Sequence, residues 1–135
     1  MTYVLDTNAV SALMKGHPIV VERLAASVPS SIAIPQPVLA EIAFGIERLP
    51  RSKRRTALQE RFDLVCSEIP RVEWTDAVSQ AYGRIKAALE RRGTPIEDFD
   101  AAIAAHALAT DAILVTANIG HMTRVPGLQI EDWGR

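Results

Sequence analysis

Three acidic positions stand where a folded α/β chain can use a carboxylate for chemistry. Asp6 directly follows a short apolar run, Glu41 borders the apolar arc of an amphipathic helix, and Asp100 leads into an alanine-rich helix. Carboxylate oxygens are hard ligands that suit Mg²⁺ or Mn²⁺ rather than Zn²⁺. Because such an ion polarises a phosphoryl oxygen and lowers the pKa of a bound water, the pattern predicts metal-dependent hydrolysis of a phosphodiester.

Each of these acids also has a structural interpretation. Asp6 can cap the helix that follows it, since aspartate is a favoured N-cap. Glu41 can pair with Arg48 on the same helix. In the acidic run before the alanines, Asp98 is the better N-cap candidate and Asp100 lies in the first turn, where acids are favoured by the helix dipole.

Two features of the middle of the chain favour a ligand. Gly45 leaves space one turn after Glu41, although glycine costs about 1 kcal/mol inside a helix relative to alanine. A basic run follows it, which is either a solvated helix surface or a set of phosphate contacts for RNA. The run contains Arg48, Arg51, Lys53, Arg54, Arg55 and Arg61.

Composition limits the class of protein. A chain of 135 residues predicts one domain over residues 1–135. Fifteen basic against sixteen acidic residues give a net charge of −1, which excludes a strongly basic nucleic-acid binder. Cys66 is the single cysteine, so no internal disulfide is possible. The absence of a signal-like or membrane-length apolar segment predicts a cytoplasmic protein.

The elements that must position the acids alternate between strand and helix. Apolar strands without internal alternation predict a mostly parallel sheet covered by helices on both faces, an α/β/α sandwich. In such sheets the functional crevice lies beyond the carboxyl ends of the strands. Predicted strands are 3–5, 32–34, 112–116 and 128–130. Predicted helices are 7–14, 19–28, 37–49, 51–65, 73–92 and 102–110.

Five motifs, in order over nearly the whole chain, resemble the PIN-domain ribonucleases, and specifically the VapC toxins of type II toxin–antitoxin pairs. They are Leu5-Asp6-Thr7-Asn8, Glu41 with Phe44-Gly45, Gly93-Thr94-Pro95-Ile96 leading to Asp100-Ala101-Ala102-Ile103-Ala104, Val115-Thr116-Ala117-Asn118, and Pro126-Gly127-Leu128 with Glu131-Asp132-Trp133.

The resemblance implies a PIN fold and a Mg²⁺-dependent endoribonuclease, a hydrolase in which Mn²⁺ can substitute. It places the catalytic and metal-binding acids at Asp6, Glu41 and Asp100. It also implies an RNA substrate, with transfer RNA among the candidates, inhibition by a VapB-type antitoxin, and a homodimer.

Polar residues around these acids are expected to contact the metal's surroundings or the substrate. They are Asn8, Thr116, Asn118 and His121. Many members of the family carry a fourth acid where this chain has Asn118 and His121; Asn118 can orient a water, and His121 can contact phosphate, transfer a proton or lie on the surface. We expect His106 to pack in a helix, and His17 has no evident chemical partner.

Two other functions are compatible with the pattern. A degenerate PIN domain would bind RNA or protein without cutting it. A haloacid-dehalogenase-type phosphatase also begins with an aspartate after a strand, but it normally repeats the aspartate two residues later, where this chain has Asn8.

Trp74 and Trp133 are too sparse for a base-stacking platform. Part of an apparent apolar surplus is expected at an interface; its members are Met14, Val20, Val21, Leu24, Leu39 and Ile46.

Overall fold

A computed structural model describes residues 2–134, which form a five-stranded sheet with helices between the strands. The strands are β1 (Tyr3–Leu5), β2 (Ile32–Pro35), β3 (Arg71–Val72), β4 (Ile113–Val115) and β5 (Ile130–Glu131). The helices are α1 (Thr7–Met14), α2 (Pro18–Ala25), α3 (Gln36–Glu47), α4 (Lys53–Glu68), α5 (Asp76–Arg91), α6 (Asp98–Ala109) and α7 (Ile119–Met122).

The sheet is parallel throughout and has the strand order β3-β2-β1-β4-β5. Val4 of β1 lies opposite Ala33 of β2 on one side and Leu114 of β4 on the other. The strand order therefore reverses between β1 and β4, and a crevice opens at this reversal beyond the carboxyl ends of the two strands. Asp6 and Thr116 are the residues that directly follow β1 and β4.

Helix α6 shows how closely the layers pack. Its residues 101–107 are buried, and they are mostly alanines, whose short side chains let the helix approach both the sheet and α5. α6 contacts β1 and β4, while α3 contacts β2. The helix-covered parallel sheet confirms the predicted α/β sandwich. Although α6 is apolar, neither it nor another helix within residues 2–134 is long and apolar enough to cross a membrane.

His106 of α6 is fully buried. Its Nδ1 donates to the carbonyl of Ala102 at 2.7 Å, and its ring meets the ring of Trp74 edge-on at 5.3 Å. Its Nε2 has no hydrogen-bond partner within residues 2–134. Burial lowers the pKa of His106, so the ring is held neutral. The expected packing role agrees with this environment.

The apolar surplus predicted for an interface is mostly core. Met14, Val20 and Ile46 are buried, and Leu24 and Leu39 pack against the core. Val21, at 41% exposure, is the member of that set that faces solvent. Most of the set is buried because α1 packs against both α2 and α3, and Val21 stays the candidate for the predicted interface.

The element bounds differ from the predictions where local signals are short. β3 and α7 were not predicted, because two- and four-residue elements carry too few residues for a periodic pattern. α2 ends at Ala25, before a 3₁₀ turn at Pro29–Ser31. α5 begins after the Thr75 cap rather than at residue 73, and α6 begins at Asp98 rather than at residue 102.

Candidate active site

Asp6 lies at the centre of the crevice and is 3% exposed. Its Oδ1 accepts the backbone N–H of Thr7 at 2.7 Å, as an N-cap does, and its Oδ2 accepts the hydroxyl of Thr116 at 2.7 Å. The cap and the site carboxylate that the sequence offered as alternatives are therefore one side chain. Burial raises the pKa of Asp6, against opposing hydrogen bonds from Thr116, Thr7 and Asn8.

Thr116 and Asn8 join the ends of β4 and β1 around this carboxylate. The Thr116 hydroxyl accepts the backbone N–H of Asn118 at 2.9 Å in addition to donating to Asp6. The Asn8 side-chain amide accepts the backbone N–H of Ala117 at 2.9 Å and donates to Thr116 Oγ1 at 3.3 Å. These contacts fix the orientation of Asp6, because hydrogen bonds hold its carboxylate from two strands at once.

Glu41 reaches the same crevice from the second turn of α3 and is half-buried. Its Oε1 accepts the hydroxyl of Thr7 at 2.6 Å. Thr7 thus bridges two acids, since its backbone N–H binds Asp6 and its hydroxyl binds Glu41. This role of Thr7 was not predicted; the signal for it in the sequence was a hydroxyl residue directly after Asp6.

The Glu41–Arg48 ion pair, the alternative to a site role for Glu41, is not among the ion pairs of residues 2–134. The guanidinium of Arg48 lies instead over the ring of Phe44, 5.8 Å from its centroid. Glu41 is held by the Thr7 hydroxyl because that contact lies on the crevice side of α3.

Asp100 completes the acidic set from the first turn of α6. Partial burial raises the pKa of its carboxyl, and the negative charges of Asp6 and Glu41 raise it further. His121 opposes this shift and Glu97 adds to it. Asp100 therefore lies within electrostatic range of both Asp6 and Glu41.

Asp98 is not the N-cap of α6. Glu97 occupies that position without a side-chain cap hydrogen bond, and Asp98 is the first helical residue. The Asp98 carboxylate accepts from Lys86 Nζ at 2.7 Å, and this hydrogen bond lowers the pKa of Asp98. The prediction was wrong because α5 brings Lys86 to the start of α6. Asp98 therefore forms an ion pair with Lys86 and does not cap its own helix.

Asn118 and His121 border the site on α7. The backbone N–H of Asn118 binds Thr116, and its side chain makes no cap hydrogen bond to α7. His121 is exposed, and its charge lowers the pKa of Asp100, which places it within electrostatic range of the acids. His17 is remote from this chemistry, since its ring accepts the backbone N–H of Val20 as the N-cap of α2.

The candidate ligands suit Mg²⁺ better than a metal ion that needs a closed set of protein ligands. Within residues 2–134 no three Asp, Glu, His or Cys side chains converge tightly enough to hold a metal on their own. Mg²⁺ usually keeps several waters and binds through one or two carboxylates together with substrate phosphates. An oxygen-only, open arrangement of Asp6, Glu41 and Asp100 therefore suits Mg²⁺, and it lacks the nitrogen and sulfur ligands typical of zinc.

Comparison with known proteins identifies similar chains. The family model for the PIN domain matches residues 3–128. The chain is 34% identical over 139 residues to Ribonuclease VapC2 of Rickettsia felis, covering 100% of both chains. It is 33% identical over 136 residues to the tRNA(fMet)-specific endonuclease VapC of Salmonella typhimurium, covering 98% of each.

Solved structures agree with these sequence matches. The structure of VapBC2 from Rickettsia felis, bound to a DNA fragment from their promoter, superposes with a TM-score of 0.85 at 34% identity, covering 98% of this chain and 99% of that one. DNA-bound VapBC from Salmonella typhimurium gives a TM-score of 0.86 at 31% identity over 98% of each chain.

Proposed function

Because the chain belongs to the PIN-domain family and to its VapC ribonucleases, we propose that it cleaves RNA with the help of Mg²⁺ as the toxin of a VapBC pair. One observation carries the proposal: Thr7 bridges Asp6 and Glu41 by two hydrogen bonds, and the charges of these two acids raise the pKa of Asp100. Residues 1–135 would act as one catalytic unit.

Asp6, Glu41 and Asp100 would hold the metal. When bound, Mg²⁺ would polarise a phosphoryl oxygen and lower the pKa of a water for attack on phosphorus. Without a cation, burial raises the pKa of Asp6, and burial together with the neighbouring negative charges raises the pKa of Asp100, so a proton is favoured on these groups. A cation favours the ionised carboxylates, so metal binding would be coupled to proton release.

The remaining polar residues would orient the acids and the substrate. Thr116 and Asn8 hold the Asp6 carboxylate from the end of β4 and from α1, while Thr7 holds Glu41. His121 faces the same acids from the exposed side of α7, where a phosphate of the substrate would approach. No cysteine or serine nucleophile is needed for this chemistry.

A protein partner and a substrate class follow from the relatives. The similar structures are VapBC toxin–antitoxin complexes, and we propose that a VapB-type antitoxin inhibits this chain too. The transfer RNA named for the Salmonella relative is the first substrate to test. The homodimer stays a prediction, checked by sedimentation of the purified chain.

The decisive experiment compares two aspartates that lie two residues apart. With total RNA and Mg²⁺, the native chain should produce discrete cleavage products that EDTA abolishes. Asp100→Asn should lose cleavage. Asp98→Asn changes an aspartate on the same turn of α6 and alters its ion pair with Lys86 of α5, and this variant should retain cleavage. Undiminished cleavage in EDTA would overturn the metal-dependent mechanism. RNA binding without turnover in either Mg²⁺ or Mn²⁺ would favour a non-cutting PIN module.

A further inference from the structure

A groove runs from Glu41 between α1, α3 and α4, and neither Asp6 nor Asp100 lines it. Thr7 and Glu41 lie at one end of it, and Lys15, Arg48 and Arg54 lie along its walls. Its volume of about 320 Å³ is within the range of small-ligand clefts. Because the groove opens onto the proposed cleavage site, whatever occupies it lies next to the reacting phosphate.

Gly45 lines this groove without being required by the packing of the chain. A Cβ built at Gly45 would meet no atom within 4 Å. The backbone of Gly45 is ordinary α-helix, so the positive φ that usually requires glycine is not involved. Since glycine costs about 1 kcal/mol in a helix relative to alanine, the open space suits a group from outside the chain.

The walls of the groove are positively charged. Lys15 and Arg54 are exposed, and their side chains make no ion pair within residues 2–134. Arg55, the neighbour of Arg54, differs because it pairs with Glu47 at 3.0 Å. Lys15, Arg48 and Arg54 together place three cations along the groove, beside apolar side chains such as Met14 and Ile46. Their positive charge favours a polyanion over a neutral peptide.

Phe44 adds an aromatic surface beside Gly45. It is 66% exposed, and it lies three residues after Glu41 on α3, the spacing that places side chains on neighbouring turns of one face. Arg48, one further turn along, lies over its ring. Exposed aromatic rings next to cations bind unpaired nucleobases by stacking, with little dependence on sequence.

We propose that this groove binds a single-stranded segment of the RNA, on one side of the cleaved bond. The phosphates would contact Lys15, Arg48 and Arg54, a base would stack on Phe44, and the strand would occupy the space over Gly45. The inference rests on the proposed ribonuclease function. It adds that the substrate is unpaired at the positions next to the cleavage site, because a base in a duplex cannot offer its face to Phe44.

The test measures RNA binding where no turnover can occur. In the Asp100→Asn chain, a fluorescent single-stranded RNA of about ten nucleotides is titrated and followed by anisotropy. Adding Gly45→Ala should raise the melting temperature, since alanine favours the helix, and yet weaken RNA binding about tenfold. If Gly45 had only a structural role, the variant would not combine a higher melting temperature with weaker RNA binding. A matched duplex RNA should bind more weakly than the single strand.

Two charge-reversal variants, one inside the groove and one outside it, test the contribution of its positive charge. Arg54→Glu should weaken binding and reduce the slope of log affinity against log salt by about 0.7 for one lost phosphate contact. Arg84→Glu makes the same charge change at an exposed position of α5, outside the groove, and should leave affinity nearly unchanged. Equal affinities for the parent, Gly45→Ala and Arg54→Glu chains would overturn the inference.

The experiments also distinguish an antitoxin-binding groove from a failure of the proposed ribonuclease function. If the groove variants weaken binding of a co-expressed antitoxin and leave RNA binding unchanged, the groove belongs to the protein partner and the RNA assignment is wrong. If the native chain fails to cleave RNA in Mg²⁺, the proposed function fails, but the anisotropy titration still decides whether the groove holds a strand.

Discussion

Asp6 and Glu41 belong to the same crevice, but the structure holds their carboxylates in different ways. Both oxygens of Asp6 accept hydrogen bonds, from the backbone of Thr7 and from the hydroxyl of Thr116, and the side chain is almost fully buried. Glu41 is half-buried and is held through one oxygen by Thr7. Beyond Glu41 the surface opens into the groove that contains Gly45.

This difference separates a fixed side of the site from an open one. The fixed side is made by strands β1 and β4, whose ends are hydrogen-bonded together, so its carboxylate keeps one orientation. The open side is made by helix α3, whose exposed residues leave room for a ligand. A site of this kind can position a reacting group precisely on one side while it accommodates a long substrate on the other.

Glu41→Gln should reduce activity strongly and leave the fold almost unchanged. The amide keeps an oxygen for the Thr7 hydroxyl but loses the negative charge, so cleavage in Mg²⁺ should fall by about 10² to 10³-fold. The melting temperature should stay close to that of the parent, because the open side contributes little packing. Calorimetric titration with Mg²⁺ measures the metal affinity, and an unchanged value would remove Glu41 from the metal site.

Thr116→Val should damage both activity and stability, because it acts on the fixed side. It removes the hydroxyl that binds Asp6 and Asn118, which should cost about 1–3 kcal/mol for buried groups left unpaired and reduce cleavage about 10–100-fold. Urea unfolding and initial rates check both. Thr116→Ser should rescue, and Thr110→Val should have little effect, since that exposed hydroxyl binds its own helix. Normal activity in Thr116→Val would show that Asp6 needs no such support.

Asp100→Asn should stabilise the metal-free protein, by a few degrees in melting temperature at neutral pH. The pKa of Asp100 is raised above its ordinary 3.8 by burial and by the charges of Asp6 and Glu41. Between these two pKa values the folded chain binds more protons than the unfolded chain, so the stability of the parent falls as pH rises. The advantage of the variant should therefore be absent below about pH 4 and should grow as the pH rises through the raised pKa of Asp100.

Thermal unfolding in EDTA across this pH range checks the sign. Asp98→Asn is the control, since the pKa of that exposed carboxyl is lowered by Lys86 and its removal should not stabilise. An advantage of Asp100→Asn that shrank toward neutral pH would contradict the repulsion within the acidic set.

His121→Ala should have the smallest effect. The side chain is exposed on α7 and acts on Asp100 through its charge. We expect a change of a few-fold in the cleavage rate and a stability within about 0.5 kcal/mol of the parent, as is usual for exposed positions. Parallel rate and melting measurements check this. A loss as large as that of Glu41→Gln would instead assign His121 a direct part in the reaction.

The three acids could be proposed from the sequence because each stands in a local pattern. Asp6 comes after a short apolar strand, Asp100 opens an alanine-rich helix, and Glu41 borders an apolar arc. Their contacts were not predictable. The Thr7–Glu41 hydrogen bond joins residues 34 positions apart, and the Asp98–Lys86 pair depends on how α5 approaches α6. Such contacts depend on tertiary packing, on which local propensity carries no information.

The hydrogen bond between Asp6 and Thr116 spans 110 residues of the chain. At about 5–20 residues per second, translation adds Thr116 roughly 5 to 20 s after Asp6. Until then the first strand lacks its neighbour β4, and the carboxylate at its end lacks the hydroxyl that orients it. A nascent chain that ends before Thr116 therefore lacks this support for Asp6, and a message truncated before the codon for Thr116 yields a fragment without it. The order of synthesis therefore delays assembly of the candidate site.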